Sequence, residues 1–223
     1  MREGSLPEGS LPGSGILKLQ IGAGLDGPAD WLNVDASPTL RLQRLPVVGR
    51  LVQALVGPRF SPRVVYGDVV RGLPLADEGA TLVYSSHMLE HLAFEDFKVA
   101  LVEVHRVLAR GGVFRSVLPD LQHEVQAYLS SDAADRASAF MQSTLLGVER
   151  RERGLAGALR MWLGNSRHVW MWDYPSLAHR LAEAGFIDIR PATHGDSRHP
   201  DFASVEQLDR WQGSVGFECR KAG

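Results

Sequence analysis

The chain alternates short apolar runs with longer segments in which apolar residues recur at helical spacing. The apolar runs predict strands at 16–21, 31–35, 63–66, 81–85, 112–118, 186–189 and 214–219. The helical patterns lie at 40–56, 94–108, 121–129, 132–163 with a break near 147–154, and 175–184. Gly111 and Gly112 are expected to end the second helix, and Asp120 to cap the third. Because parallel neighbours need crossover connections, this order predicts an α/β fold with a mostly parallel sheet and helices on both faces.

Small and acidic residues follow the first two predicted strands, where an α/β sheet binds its ligands. Gly22 and Gly24 let the backbone approach a ligand and adopt positive φ, although such a turn alone is more typical of a plain tight turn. Asp35 ends the second strand and can accept both hydroxyls of a ribose. It lies 11 residues after Gly24. A dinucleotide fingerprint has roughly 20 residues here, so the spacing argues against a nicotinamide enzyme.

Asp68 ends the third predicted strand and has two interpretations that the sequence leaves open. Its carboxylate can accept the amino group of an adenine, or it can cap a turn or helix.

Several short motifs occur in an order that resembles a known family. They are LKLQIGAG at 17–24, WLNVD at 31–35, GLPLAD at 72–77, SSHMLEHL at 85–92, RVLARGG at 106–112, LPD at 118–120, LAEAGF at 181–186 and RHPD at 198–201. Together they resemble the class I, Rossmann-like S-adenosylmethionine-dependent methyltransferases, and among these a bacterial subgroup of the type 11 kind. The resemblance covers nearly all of 16–221.

This resemblance implies a seven-stranded sheet whose last strand is antiparallel, with S-adenosylmethionine bound at its edge. Gly22, Ala23 and Gly24 would lie by the methionine part of the cofactor, Asp35 and Ala36 by its ribose, and Asp68 and Val69 by its adenine. Ser85 and Ser86 would line the passage from the cofactor to the acceptor. The resemblance also implies one methyltransferase domain at 16–223, after a disordered leader at 1–15, with an acceptor lid inserted at about 130–175.

The segment from His87 to His91 also has the H-x-x-E-H pattern of inverted zinc metallopeptidases. Zinc needs both histidines in helical phase, and His87 falls at the end of a strand. A zinc hydrolase would also leave the glycine turn and Asp35 without a role, so it is the less favoured alternative. Methyl transfer itself requires chiefly alignment of the acceptor, so no metal is expected.

A hydroxyl acceptor benefits from a base with a pKa near neutral, and the sequence offers three histidines. His87 and His168 are the candidate catalytic residues, whereas the structural interpretation is favoured for His91. An aromatic group surrounds His168 in the predicted lid and consists of Trp162, Trp170, Trp172 and Tyr174. Such groups more often pack in a core than bind a ligand, although Trp faces also stack on sugar rings.

The composition of the chain limits the kinds of binding partner that are expected. With 223 residues, a net charge of −2 and one cysteine, the chain predicts a single soluble domain without a disulfide, and the cytoplasm is its default location. A nucleic-acid partner is disfavoured because no broad positive field is expected, and no apolar run is long enough for stable membrane insertion. The oligomeric state stays open, a homodimer included.

The function predicted on these grounds is methyl transfer from S-adenosylmethionine to a small-molecule or glycan acceptor, at oxygen. The glycan derives from analogy with bacterial proteins found beside glycan-building enzymes. The alternative from another class is a catalytically silent S-adenosylmethionine-binding regulatory subunit.

Overall fold

A computed structural model describes residues 17–45, 59–148 and 167–223. These residues form a seven-stranded sheet with the order β3-β2-β1-β4-β5-β7-β6. The strands are β1 (Lys18–Ile21), β2 (Leu32–Asp35), β3 (Val64–Tyr66), β4 (Ala80–Ser86), β5 (Leu108–Pro119), β6 (Phe186–Ala192) and β7 (Ser214–Lys221). β7 is antiparallel to both of its neighbours, and the other observed pairings are parallel. The expected Rossmann-like fold with a reversed last strand is confirmed.

The α-helices predicted at 94–108, 121–129 and 175–184 are present, and their ends lie within one residue of the predicted ones. The described α-helices are α1 (Pro38–Gln43), α2 (Phe94–Val107), α3 (Leu121–Ser130), α4 (Arg136–Ser143) and α5 (Tyr174–Glu183). The helices predicted at 40–56 and 132–163 lie partly outside the described residues. The leader at 1–15 and Trp162 lie entirely outside them. Asp120 caps α3 as expected, because its carboxylate accepts from the N–H of Gln122 at 2.9 Å.

The prediction that Gly111 and Gly112 end a helix is wrong. α2 stops at Val107, and the chain enters β5 directly at Leu108. The glycine pair lies inside this strand, next to an irregularity in the pairing with β4 between Ala80 and Leu82. Gly111 has a φ of +71°, which glycine adopts without strain. The glycines therefore shape an irregular strand rather than a helix end.

One face of the sheet is covered by α2 and α5. Apolar residues of α2 recur every three or four positions, so Phe97, Leu101 and Val104 point together into this core. Leu177 and Leu181 of α5 join them, and all five side chains are buried. The burial of this face fixes β1, β4 and β5 as the centre of the molecule.

The opposite face is covered by Trp31 and by two short 3₁₀ helices, Pro200–Ser204 and Leu208–Trp211. Phe202 packs between Trp31 and Tyr84, with ring centroids 5.8 and 6.1 Å away. Within the described segments, the α-helices that bury apolar side chains against the centre of the sheet are α2 and α5. The segment 200–211 therefore completes the fold on this side and reaches the edge where the strands end.

A buried arginine ties the segment 200–211 to the sheet. Arg115 of β5 is fully buried, and its Nε donates to Glu206 Oε1 at 2.5 Å. Its Nη1 donates to Glu218 of β7 at 3.1 Å and to Asp196 at 2.9 Å. A charge buried this deeply persists only when it is paired and hydrogen-bonded, and Arg115 is both.

Within the parts of the chain that are described, no helix is both long and apolar enough to cross a membrane.

Candidate active site

A cavity of about 870 Å³ opens at the carboxyl ends of β1 and β2. β1 pairs with β2 on one side and with β4 on the other, so the connections from these strands leave in opposite directions. Such a switch point leaves a crevice beyond the strand ends, and the volume lies in the range of ligand pockets. The lining residues expected from the sequence are Gly22, Ala23, Gly24, Asp35, Ala36, Asp68, Val69, Ser86 and His87.

The glycine turn after β1 is a tight left-handed corner. Gly22 and Gly24 have φ values of +67° and +66°. A Cβ on Gly22 would lie 2.5 Å from Cγ of Met88, so only glycine fits there, whereas a Cβ on Gly24 would meet open space. The turn therefore combines backbone freedom at both positions with a close packing contact at the first.

Asp35 organises this turn from the end of β2. Its Oδ2 accepts from the N–H of Gly24 at 3.0 Å, and its Oδ1 accepts from the N–H of Ser37 at 2.8 Å. Burial raises the pKa of this carboxyl above its ordinary value, while the N–H groups of Ser37 and Gly24 act in the opposite direction. Each oxygen keeps further acceptor capacity, so the carboxylate can hold the loop and still accept ligand hydroxyls.

Asp68 caps a turn, which is one of the two interpretations that the sequence left open, and its carboxylate also lies at the cavity. Its Oδ1 accepts from the N–H groups of Val70 and Arg71 at 2.9 and 3.3 Å, which closes a turn after β3. The same residue lines the cavity beside Val69, which is buried. The turn therefore fixes the carboxylate at the cavity wall.

Ser85 and Ser86 lie at the end of β4 and point to opposite faces of the sheet. Ser86 lines the cavity, whereas Ser85 is fully buried behind it. Both hydroxyl oxygens are buried without a hydrogen-bond partner in the described part of the chain. Of the two, Ser86 is the one that a bound molecule would meet.

A second cavity of about 630 Å³ adjoins the first. His87, His91 and Arg210 line both cavities, so these residues form the boundary between them. His168 lies in the second cavity. The structure therefore places both histidines predicted to be catalytic at or beyond this boundary, on the side away from Asp35.

His87 adopts an unusual backbone conformation as the chain leaves β4. Its φ is +48°, and its N–H donates to the carbonyl oxygen of Val117 at 2.9 Å. The ring Nε2 lies 2.8 Å from the carbonyl oxygen of Arg210, so Nε2 carries the proton and donates it. The free lone pair on Nδ1 then faces Glu90 at 3.6 Å.

Glu90 lies between three histidines, but it was not among the site residues predicted from the sequence. It is fully buried, and within the described residues neither carboxylate oxygen has a hydrogen-bond partner. Burial raises its pKa to about 7. Its Oε1 lies 3.9 Å from His91 Nε2 and 3.8 Å from His168 Nε2. The H-x-x-E-H pattern was the available signal for Glu90 and His91, which lie on one 3₁₀ turn, Leu89–His91, rather than on an α-helix.

His168 is brought to Glu90 by backbone pairing. The carbonyl oxygen of Glu90 accepts from the N–H groups of Val169 and Trp170 at 2.7 and 3.1 Å, which docks this segment on the 3₁₀ turn. Burial lowers the pKa of His87 and of His168, and the nearby His91 lowers that of His168 further. Both rings are therefore neutral at pH 7 and can offer a lone pair.

The aromatic group beside His168 divides between core and surface. Trp172 is buried against Phe97, with ring centroids 4.2 Å apart, and Tyr174 packs against the same core. Trp170 is 43% exposed and rests on Phe94 at 4.9 Å. For Trp172 the core interpretation is therefore correct, and Trp170 keeps a face free.

The segment 205–210 also lines the first cavity, although no sequence motif predicted this. Val205, Gln207 and Arg210 line its wall. Glu206, between the first two, is held by Arg115. A strongly polar stretch before the last strand carried no recognisable motif, and tertiary contacts alone bring it to the site.

The fold is Rossmann-like, and the crevice at its switch point is a candidate site for a nucleoside-containing cofactor. Residues 13–116 match the family model of a methyltransferase domain of type 11. The match covers just under half of the chain, and it indicates a methyltransferase domain on a fold that S-adenosylmethionine-dependent methyltransferases share. The zinc hydrolase alternative is therefore set aside.

Solved structures share this fold at low sequence identity. An S-adenosylmethionine-dependent methyltransferase of Thermotoga maritima, described as a possible histamine N-methyltransferase, is 17% identical with a TM-score of 0.51, and the match covers 95% of this chain and 84% of that one. Phosphoethanolamine N-methyltransferase 2 of Haemonchus contortus, in complex with phosphomonomethylethanolamine and S-adenosylhomocysteine, is 13% identical with a TM-score of 0.51; the match covers 94% of this chain and 49% of that one. No curated protein sequence matches the chain significantly.

Proposed function

We propose that this enzyme transfers the methyl group of S-adenosylmethionine to a hydroxyl oxygen of a small-molecule or glycan acceptor held in the histidine-lined cavity. The observation that carries the proposal is the boundary of His87, His91 and Arg210, which both cavities share. Two ligands that meet at such a boundary have their reacting atoms side by side, and this alignment is the main requirement of methyl transfer.

The cofactor is oriented by the residues at the ends of β1 to β4. In this proposal Asp35, with Ala36 beside it, accepts the ribose hydroxyls, and Asp68 and Val69 flank the adenine. The glycine turn from Gly22 to Gly24 faces the methionine part. Ser86, with Ser85 behind it, lies at the passage to the acceptor. His87 directly follows β4 at the cavity boundary, so it would lie beside the transferred methyl group if the cofactor binds in this way.

The transfer is a single displacement. When bound, S-adenosylmethionine would supply an electrophilic methyl carbon, and transfer of this carbon from sulfur to the acceptor oxygen would leave neutral S-adenosylhomocysteine. The hydroxyl proton passes to the Nδ1 lone pair of His87, whose ring is held by the carbonyl of Arg210. His168 lies deeper in the acceptor cavity. We propose that it positions the acceptor.

The second cavity suits a polar acceptor. Its wall carries His123, Glu124, Gln212 and Ser214, which can exchange hydrogen bonds with several hydroxyl groups. A sugar presents such a set of hydroxyls, and this supports the glycan or polar small molecule expected from the sequence.

A transfer assay tests the proposal. The purified chain is incubated with methyl-labelled S-adenosylmethionine and a panel of sugars, nucleotide sugars and phenols, and products are identified by mass spectrometry. We expect a methyl ether from a hydroxyl acceptor, with a rate lowered at least tenfold in His87→Asn while S-adenosylhomocysteine affinity changes less than threefold. Methylation at nitrogen alone would refute the oxygen preference, and cofactor binding without turnover across the panel would favour a silent cofactor-binding subunit.

A further inference from the structure

We propose that Glu90, His91 and His168 form a binding site for a divalent cation of the zinc type. One potential ligand atom from each of the three residues lies within 4.8 Å of the others. Two imidazoles and one carboxylate are a ligand set that catalytic zinc sites use, with the fourth position open to water or substrate. The proposal replaces the metal-free site expected from the sequence.

The distances from Glu90 to the two histidines are close to those between the ligand atoms of an occupied zinc site. Zinc holds nitrogen and oxygen ligands at about 2.0–2.2 Å, so tetrahedral ligand atoms lie roughly 3.4 Å apart. The Glu90 Oε1 atom lies 3.9 Å from His91 Nε2 and 3.8 Å from His168 Nε2. Both distances from Glu90 are about 0.5 Å longer than that separation, and all three potential ligand atoms lie within 4.8 Å of one another.

The lone pair of His91 is directed toward this point by its other nitrogen. Nδ1 lies 2.7 Å from the carbonyl oxygen of Arg167 and so carries the donated proton. Nε2 is then the free acceptor facing Glu90. A backbone carbonyl that fixes the tautomer of a ligand histidine is the usual outer contact of metal sites.

Glu90 supplies the strongest sign of a missing partner. Its side chain is completely buried, yet within the described residues neither oxygen accepts a hydrogen bond. A buried carboxylate without donors is costly, and a cation bound between its oxygens and two imidazoles would offset that cost. Other buried acids of this chain, such as Glu206, have their donors within the fold.

The site would act on the acceptor. It opens into the second cavity, and its open ligand position would take an acceptor hydroxyl, whose pKa a divalent cation lowers. His87 is outside the ligand set, and its Nδ1 lies 3.6 Å from Glu90 Oε1, so it stays available to accept the released proton. This role in activation rests on the proposed function, whereas cation binding does not.

Metal binding is measured on the full chain without acceptor. The protein is stripped with chelator, reloaded with zinc or cobalt, and analysed by elemental analysis, calorimetry and the visible spectrum of bound cobalt. We expect one ion per chain and the intense cobalt absorption of a four-coordinate site. Glu90→Gln and His168→Asn should each lower the zinc affinity by about 100-fold or more, since each removes a ligand.

His179→Asn is the matched control, because His179 is an exposed histidine of α5 remote from the cavities. Circular dichroism and S-adenosylhomocysteine binding show that each variant is folded. The proposal is overturned if the folded chain binds no stoichiometric zinc, or if Glu90→Gln and His168→Asn bind zinc as tightly as the His179 variant. Stoichiometric zinc without methyl transfer to any hydroxyl would overturn the proposed function alone, and full transfer after chelation would overturn the activating role alone.

Discussion

Replacement of Asp35 by asparagine tests how the enzyme holds its cofactor. The two carboxylate oxygens of Asp35 accept from the N–H groups of Gly24 and Ser37 at 3.0 and 2.8 Å, so an amide in the same place must turn its NH₂ toward one of these donors. The variant loses the negative charge, one acceptor for the ribose and one loop hydrogen bond. Hydrogen bonds to a charged group contribute about 1.5–3 kcal/mol each, and those between neutral groups about half of that.

The net expected loss is about 3 kcal/mol of binding free energy, which corresponds to a roughly 100-fold higher Kd for S-adenosylhomocysteine. Isothermal titration calorimetry measures it, with circular dichroism to show that the variant is folded. Asp68→Asn is the matched control, because an amide oxygen can still accept from Val70 and Arg71 as Asp68 Oδ1 does. We expect less than a tenfold change there. A folded Asp35→Asn variant whose Kd stays within threefold of the unaltered chain would refute the ribose assignment.

The remaining predictions concern packing, backbone and pH. Arg115→Met leaves Glu206 buried without its cation, and should lower the free energy of unfolding in urea by about 3–5 kcal/mol; a loss below about 1 kcal/mol would contradict the buried network. Gly22→Ala should weaken S-adenosylhomocysteine binding more than Gly24→Ala does, because both have positive φ but only the first meets Met88; equal effects would show that the contact is unimportant. Because burial raises the folded-state pKa of Asp35 above its ordinary value of 3.8, its folded carboxyl retains a proton to higher pH than the unfolded one. Its contribution to stability is therefore lost as the pH rises through that window, whereas cofactor affinity should rise as the carboxylate forms. Calorimetry at a series of pH values should show this rise in affinity in the unaltered chain but not in Asp35→Asn. If the rise persists in the variant, another group is responsible for it.

Hydrophobic pattern was sufficient to place the strands, since each buried strand is a short apolar run with a fixed position between polar turns. The run at 31–35 became β2 (Leu32–Asp35), and the run at 214–219 became β7 (Ser214–Lys221). The error at Gly111 and Gly112 has a physical reason. Glycine ends a helix or bends a strand by the same freedom at positive φ, and only the pairing with β4 decides between the two.

The predicted residues that line the first cavity follow strand ends, so their places could be predicted from the sequence. The acceptor side depends on contacts between distant segments. Glu90 meets His168 because backbone N–H groups of Val169 and Trp170 bind its carbonyl oxygen, and Arg210 reaches His87 from a segment after β6. The H-x-x-E-H pattern marks Glu90 and His91, but no local pattern predicts that His168 or Arg210 lies beside them.

The position of β7 determines when the sheet can be completed during synthesis of the chain. β7 lies between β5 and β6, although it is synthesised after both. A nascent chain that ends before Ser214 therefore presents the edges of β5 and β6 unpaired, and such edges attract other strands. Glu218, which helps Arg115 to anchor the wall of the cofactor cavity, also arrives at this stage. Every residue that lines the first cavity precedes Ser214, so the whole lining is synthesised before the strand that closes the sheet.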